Sequence, residues 1–488
     1  MVNLQNVERW GRFELALSGP TGGNPYVDQS LQGEFRCGEH VVKAPGFYDG
    51  DGIYRVRFMP DREGEWSYTI SGSVPELSAT GYFNCLPPTG GNRGPVGVSC
   101  AAQFAYADGT PYYPFGTTCY AWIHVDEALQ TQTLETLAQS PFNKVRMCVF
   151  PKHYAFNSAD PDHFPFAARQ GGGFDLERFD PRFFAKLERR VADLEALGIE
   201  ADLILFHPYD KGRWGFDALG AETDARYLRY VIARLAAFRN VWWALANEYD
   251  FVKGKSIQDW ERLLEITAAS DPYGRLRSIH NGTKMYDHAS VKLFDHNHPA
   301  ITHMSAQHWD VTLPPIWHTA YGKPIVVDEC CYEGNLPQRW GNITGQEMTR
   351  RFWDVVARGG YCTHGETFVH EHDVIWWAKG GVLHGESPAR IAFLRRILEE
   401  APESARRIPE VNDVPTLGVE GVYYLQYFGI HRPAYRVLEL PEGVYFKAEV
   451  IDTWAMTIRP VEGLLHGSVR VDLPGREYIA LRLTRVRA

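Results

Sequence analysis

The chain has 488 residues, of which 44% are hydrophobic and 23% charged. At roughly 100–200 residues per domain this length corresponds to about three domains, and the apolar content excludes global disorder. The net charge of −10 and a pI near 6.0 argue against nucleic acid or an anionic membrane as a main partner, and no apolar run approaches the ~18 residues of a membrane span.

Aromatic residues make up 13% of the chain, including 14 Trp and 25 Tyr. Aromatic faces stack on the apolar faces of sugar rings, so this usage leans toward carbohydrate, although large cores use the same residues. The eight Cys contain no CxxC and read as reduced, mostly buried thiols. The opening "MVNLQNVERWGRF" lacks the apolar core of a signal peptide, so a cytoplasmic location is the expectation.

In chain order, residues 1–95 read as an Ig-like β-sandwich. "GIYRVRFMP" and "GEWSYTISG" are short aromatic and β-branched runs around the turn signal "DREG". The Pro/Gly-rich "CLPPTGGNRGPVG" then marks a boundary.

Residues 96–404 alternate apolar strands with helical patterns. One helix is explicit: Asp180 as cap, Pro181 in the first turn, an apolar face of Phe183, Leu187, Val191, Leu194 and Leu197, and Gly198 as the stop. Eight strand candidates follow one another. They are "YYPFGTTCYAW" from Tyr112, "KVRMCVF" from Lys144, "ADLILFH" from Ala201, "VWWALANE" from Val241, "LRSIHNG" from Leu276, "ITHMSAQHW" from Ile301, "PIVVDE" from Pro324 and "GYCTHGE" from Gly360. Eight βα units over this length match an α/β (β/α)8 TIM barrel. A doubly wound sheet is the alternative, but no glycine fingerprint follows the first strand. From residue 405 to 488, five short strand-like runs, from "GVYYLQYFG" to "EYIALRLTRV", predict a smaller C-terminal β-sandwich.

Barrel enzymes place their chemistry at the C-terminal ends of the strands. Here those ends carry Tyr120 and Trp122; Arg146, leading to Lys152, His153 and Tyr154; His207 and Asp210; Asn247 and Glu248; His280 and Asn281; Gln307, His308 and Trp309; Asp328 and Glu329; and His364 and Glu366. Solvated strand exits explain some of this enrichment. Carboxylates on strands 4 and 7 suggest glycosidase chemistry, in which one attacks the anomeric carbon and the other donates and then withdraws a proton; a retaining mechanism holds them roughly 5–5.5 Å apart. The acid, Glu248, should have a raised pKa, and the nucleophile, Glu329, should stay ionised beside donors such as Arg146 or His308. Strand alternation pairs Glu248 with Ala244 and Ala246, and turns Asp328 away from Glu329 into a structural role. Glu366 is the rival nucleophile.

His296, His298, His303 and His308 invite a metal reading. They lack HExxH or zinc-ligand spacing, so no metal and no cofactor is expected.

These strand ends resemble those of clan A glycoside hydrolases, which include family 5. The resemblance maps the acid/base onto Glu248 after Asn247, and the nucleophile onto Glu329 in "PIVVDEC". It implies that Asn247 holds a sugar 2-hydroxyl, that Arg146 supports the nucleophile, that His207 and, loosely, His308 contact substrate, and that Trp376 or Trp377 forms a sugar platform. Tyr120, Trp122 and Trp309 complete the expected binding set, with Trp377 as the platform. Over nearly its full length the chain is also similar to bacterial proteins with an N-terminal sandwich, an apiosidase-like barrel and a small C-terminal sandwich; "WWAKGGVLHGESPARIAFLR" and "FKAEVIDTWAMTI" carry that likeness.

The expectation is a retaining glycoside hydrolase, exo-acting because the sandwiches would wall the barrel mouth, with a carbohydrate as its partner. A β-D-pyranoside, an α-L-arabinofuranoside or an apioside fits the clan chemistry. A homo-oligomer is compatible with this sequence. The alternative is a non-catalytic carbohydrate-binding protein on a decayed barrel.

Overall fold

The structure, a computed structural model, describes residues 5–99, 102–283, 285, 293–370, 374–408 and 414–486. It is a TIM barrel flanked by an N-terminal and a C-terminal β-sandwich.

In the N-terminal part, seven strands lie in the order Gln5–Glu8, Ala79–Leu86, Gly64–Gly72, Leu31–Cys37, His40–Gly50, Ile53–Phe58, Phe13–Ser18. The long strand His40–Gly50 pairs first with Leu31–Cys37 and then with Ile53–Phe58, so it carries the chain from one layer to the other. Alternate residues turn inward, and Phe35, Val56, Phe58, Trp66 and Phe83 fill the space between the layers.

The barrel strands are β1 (Phe115–Thr118), β2 (Lys144–Cys148), β3 (Glu200–Phe206), β4 (Val241–Ala246), β5 (Arg277–Ser278), β6 (Met304–Gln307), β7 (Ile325–Glu329) and β8 (Tyr361–His364). Each lies inside its sequence candidate except β3, which starts one residue earlier, at Glu200. They pair in parallel in the order β5-β4-β3-β2-β1-β8-β7-β6, and a parallel bridge from His280 to Ser305 closes the ring. Every residue of β2, β3, β4 and β7 is buried, because helices cover one face and the barrel core the other. A hairpin of Val96–Val98 and Phe104–Tyr106 plugs the bottom, where Phe104 packs on Trp242 and Tyr361.

Among the described residues the main barrel helices are α1 (Glu127–Ala138), α2 (Pro181–Ala196), α3 (Ala221–Leu235), α4 (Ile257–Ser270), α5 (Pro314–Tyr321), α6 (Gly345–Ala357) and α7 (Ser387–Glu399). The explicit sequence helix is α2. Asp180 accepts from the Arg182 amide at its start, and Gly198 with φ +70° follows its end. Leu197 departs from the expectation: as the C-cap residue it leaves the apolar face and is 40% exposed.

The sandwiches pack on the outer helices. Arg57 of the N-terminal sandwich donates to the Arg234 carbonyl of α3 at 2.7 Å and pairs with Glu188 of α2. The C-terminal sheet runs in the order Arg406–Ile408, Thr416–Val419, Tyr423–Tyr427, Ile479–Arg485, Phe446–Asp452, Thr457–Pro460, with a ribbon of Tyr435–Glu439 and Ser468–Asp472 opposite. Its Tyr427 stacks near Trp353 of α6, with ring centroids 5.3 Å apart.

Candidate active site

Below the barrel mouth lies a closed polar layer. Lys144 Nζ sits 2.9 Å from Asp202 and 2.7 Å from Asp328, and Arg146 Nη1 sits 3.0 Å from Asp202 and 3.3 Å from Asp328. Two buried cations thus face two buried anions, which is what allows any of them to be there. Ser305 and Thr363 each donate to Asp328, at 2.6 and 2.7 Å. The Ser305 hydroxyl has given away its proton, so His280 Nδ1–H donates to it at 2.9 Å, and His280 Nε2 faces Glu329 Oε1 at 3.5 Å. The layer therefore runs from Asp328 through Ser305 and His280 to Glu329.

Simple alternation does not bring Glu329 there. Ala306 pairs with Val327 but Gln307 pairs with Glu329, so Asp328 is an extra residue in β7. This bulge lets Asp328 reach the ion pairs while Glu329 enters the mouth. A second departure lies on β4. The strand ends at Ala246, and Glu248 has φ +50° and ψ +52°, a left-handed conformation that costs a non-glycine residue about 1–3 kcal/mol. That turn, rather than parity with Ala244 and Ala246, aims Glu248. It is held by the Tyr249 amide donating to the His280 carbonyl at 3.0 Å. Asp250 tightens it further, accepting from the Gly282 and Thr283 amides at 2.6 and 2.8 Å.

The mouth holds a pocket of about 420 Å³ lined by Tyr120, Lys152, Tyr154, Phe156, Tyr209, Glu248, Phe251, Gly282, Met285, Gln307, Glu329, Tyr332, Trp340 and Trp377. The segment following each of the eight strands, or the strand end itself, contributes. All of these residues lie between 120 and 377, so among the described residues the sandwiches do not wall the pocket as expected; they pack on the helical sides of the barrel instead. The volume suits a ligand of one or two sugar rings and falls within the usual range for small-molecule sites.

The two carboxylates in this pocket are pushed apart. Burial raises the Glu248 pKa to about 8, helped by the charge of Glu329 and opposed by Lys152 and Gln307. Burial also pushes Glu329 upward, but His280, the Tyr120 hydroxyl and Arg146 outweigh it and hold Glu329 below the usual carboxylate range. The Tyr120 hydroxyl donates to Glu329 Oε1 in a short hydrogen bond. Glu248 Oε2, Gln307 Oε1, Tyr154 Oη and Trp377 Nε1 line the same pocket and have no hydrogen-bond partner among the described residues.

Of the residues expected from sequence, Glu248, Glu329, Tyr120 and Trp377 meet in the pocket. Trp377 is delivered by backbone pairing: the Tyr120 and Ala121 amides donate to the Trp377 and Ala378 carbonyls at 3.1 and 2.8 Å. Asn247 is buried behind Glu248 and accepts from Arg146 Nη2 at 2.9 Å. Arg146 is fully buried in the polar layer, where it holds Asn247 and no ligand can reach it.

The remaining four stand away from the pocket wall, contrary to the expected substrate contacts. His207 spends both ring nitrogens on the chain, Nε2 on the Phe150 carbonyl at 3.0 Å and Nδ1 on the Tyr209 amide at 3.1 Å, and burial keeps it neutral with a pKa of about 4. His308 Nδ1 accepts from the Asp310 amide at 2.9 Å, with its ring edge-on to Trp317. Trp309 is stacked by Arg351 and Arg339. Trp122 is core, its Nε1 donating to the Gln130 carbonyl at 3.2 Å.

Sequence reading assigned no role to Lys152, Tyr154, Tyr209, His280, Gln307 or Tyr332. His280 and Gln307 were visible as strand ends; Tyr209 and Tyr332 lie two and three residues beyond chemistry-bearing ends, where no strand pattern points.

The four histidines of the metal-like run do not meet at one point: His303 packs on Phe104 and Trp242 at the barrel floor, and His308 lies above the strands. Among the described residues one group has metal-ligand spacing, Glu333, His364 and Glu366. Its carboxylates already accept from the Glu386 and Ser387 amides, at 2.7 and 3.1 Å, and from the His384 and Gly385 amides, at 2.5 and 2.8 Å. Donors crowd these oxygens, and the pair tethers the start of α7. Glu366 is therefore engaged away from the pocket and does not replace Glu329 there.

A TIM barrel with two carboxylates of opposed proton affinity in a sugar-sized pocket defines a glycoside hydrolase, and comparison with known proteins agrees. The chain belongs to the family described as "Apiosidase-like, catalytic domain", whose model matches residues 101–401. Models of two domains of unknown function, DUF5060 and DUF5605, match residues 6–73 and 412–484. The crystal structure of a "putative glycoside hydrolase" from Bacteroides vulgatus is 41% identical, with a TM-score of 0.93 over 99% of this chain and 100% of that one. A glycoside hydrolase family 5 structure from the same organism shares the fold at 12% identity, with a TM-score of 0.60 over 80% of this chain and 93% of that one. No curated protein sequence matches the chain. No helix among the described residues is long and apolar enough to cross a membrane.

Proposed function

We propose that the protein is a retaining, exo-acting glycoside hydrolase that works by double displacement on short glycosides. Glu248, protonated at neutral pH, donates to the glycosidic oxygen while ionised Glu329 attacks the anomeric carbon. The C–O bond to the aglycone breaks and a glycosyl ester forms on Glu329. Glu248, now a base, deprotonates water, which attacks the anomeric carbon and releases Glu329. The observation that carries this reading is the opposed proton affinity of the two carboxylates across one pocket.

Tyr120 and His280 stabilise the carboxylate form of Glu329 and so favour its departure from the ester in the second step. Asn247, fixed by Arg146, offers its amide to the sugar 2-hydroxyl. Trp377 supplies a face for the ring. The loop-walled pocket supports exo action, and β-D-pyranosides, α-L-arabinofuranosides and apiosides are the substrate classes proposed. The proposed domains of this hydrolase are residues 1–95, 96–404 and 405–488.

The test is a panel of chromogenic glycosides, followed by NMR of the anomer first released from the best substrate. Retained configuration is expected. Release of the inverted anomer would overturn the double displacement.

A further inference from the structure

The polar layer pairs each of its two buried cations with two carboxylates. A third buried cation is treated differently. Lys152 is 1% exposed and lines the pocket, yet among the described residues no carboxylate lies within 4.0 Å of its Nζ and no oxygen accepts its protons. Its surroundings are aromatic. Nζ lies 3.9 Å from the ring centroid of Tyr209, 4.1 Å from Tyr120, 4.5 Å from Tyr154 and 5.0 Å from Trp377.

Ring faces attract a cation but offer no lone pair in line with its N–H bonds. The amino group thus lies among π-faces with its hydrogen-bonding capacity unused among the described residues. A neutral hydroxyl would accept one hydrogen bond from it and add no countercharge in this desolvated box. An anion supplies both the acceptors and the countercharge. Glu329 is committed to Tyr120 and His280, and Glu248 is held largely protonated, so neither serves.

We infer that Lys152 makes the pocket selective for an acidic glycosyl residue, its ammonium pairing with a carboxylate or sulfate ester carried by the sugar. This rests on the hydrolase reading and names the substrate class it acts on. Tyr154 Oη and Trp377 Nε1, unpartnered in the same pocket, are available as further donors to that anion. Burial draws the Lys152 pKa down, so the arriving anion also secures the charged form.

The experiment compares matched 4-nitrophenyl glycosides: glucoside against glucuronide and 6-sulfoglucoside, and galactoside against galacturonide. Wild-type kcat/KM should favour an acidic member by at least about tenfold. Lys152→Met should reduce that ratio by about tenfold or more, and Lys152→Arg should restore part of it. Thermal unfolding checks that both variants fold. The uronide and sulfo arms identify the anion. In parallel, calorimetry measures binding of glucuronate and galacturonate against glucose and galactose to the wild-type and Lys152→Met proteins.

Cleavage of the neutral glycosides alone, or an acid-to-neutral ratio untouched by Lys152→Met, would overturn the inference and leave the hydrolase reading standing. Lys152-dependent binding of a sugar acid with no glycoside cleaved would do the reverse. If no acidic member is either bound or cleaved, the inference is overturned.

Discussion

Arg146 Nη2 donates to Asn247 Oδ1 at 2.9 Å, deep in the barrel and one residue before Glu248. A guanidinium has only donors, so this contact fixes which end of the Asn247 amide is oxygen. The amide NH2 is left for another partner. The same guanidinium is anchored on Asp202 and Asp328, so the orientation of Asn247 is set by an ion-pair layer that no substrate touches.

Arg146→Met should separate the two roles. It leaves Asp202 and Asp328 sharing Lys144 alone, and breaking a buried pair in this way costs about 3–5 kcal/mol, to be read by urea denaturation. Asn247→Ala should cost less stability, about 1.5–3 kcal/mol for the lost hydrogen bond to a buried charge, while lowering kcat/KM on the order of 10²-fold, because the contact proposed for it strengthens only in the transition state. Equal stability losses in the two variants would contradict this division.

The carboxylate assignment predicts distinct rescue chemistry. Glu248→Ala and Glu329→Ala should each lose activity by several orders of magnitude on an unactivated glycoside. Azide should restore turnover of Glu248→Ala to a glycosyl azide of retained configuration, and of Glu329→Ala to the inverted azide. Near-wild-type activity in either variant on a cleavable substrate would remove that residue from the mechanism.

Opposed proton affinities predict the pH profile. Glu248 must be protonated to act, so kcat/KM should fall as pH rises through about 8. Glu329 must be ionised and its pKa is depressed, so the acidic limb should lie below the usual carboxylate range. Tyr120→Phe removes a hydrogen bond to the ionised form of Glu329; the acidic limb should then move up and kcat should fall by about 10- to 100-fold. Glu329→Gln removes a charge that raises the Glu248 pKa, so Glu248 should titrate lower there, as 13C NMR of labelled glutamate can show. An unchanged Glu248 titration would mean that burial alone sets it.

Gly282 lies against the acid. A Cβ built there would fall 2.6 Å from Glu248 Cβ and Cγ and 2.8 Å from the Phe251 ring. Gly282→Ala should therefore displace Glu248 from its left-handed turn, lowering kcat by about 10- to 100-fold with a stability cost of about 1–3 kcal/mol. A fully active Gly282→Ala variant would show that the turn tolerates movement.

The chain order of strands and helices was legible in the sequence because it is written in local signals. Apolar runs flanked by polar ends mark strands, and Asp180–Pro181 with Gly198 marks a helix whose caps need only neighbouring atoms. The acidic strand ends at Glu248 and Glu329 were legible for the same reason: a carboxylate after a buried run of strand formers has few places to go. Placement of the remaining site residues was not local. His207 and His308 look like ligands in sequence, but the fold offers both ring nitrogens of His207 and Nδ1 of His308 backbone partners first.

Alternation put Glu248 toward the barrel interior and Asp328 in a structural role, and both stand, but the local cause is different: one extra residue in β7 and one positive φ after β4 set how these side chains point. Lys152 was visible after β2 but its role was not, since that role is defined by what surrounds it, and its four rings come from segments spread between Tyr120 and Trp377. By itself the sequence determined which elements form and which two carboxylates end β4 and β7. Only the closed barrel decided what those carboxylates face, because proton affinity and pocket chemistry depend on burial and on neighbours that meet across the ring.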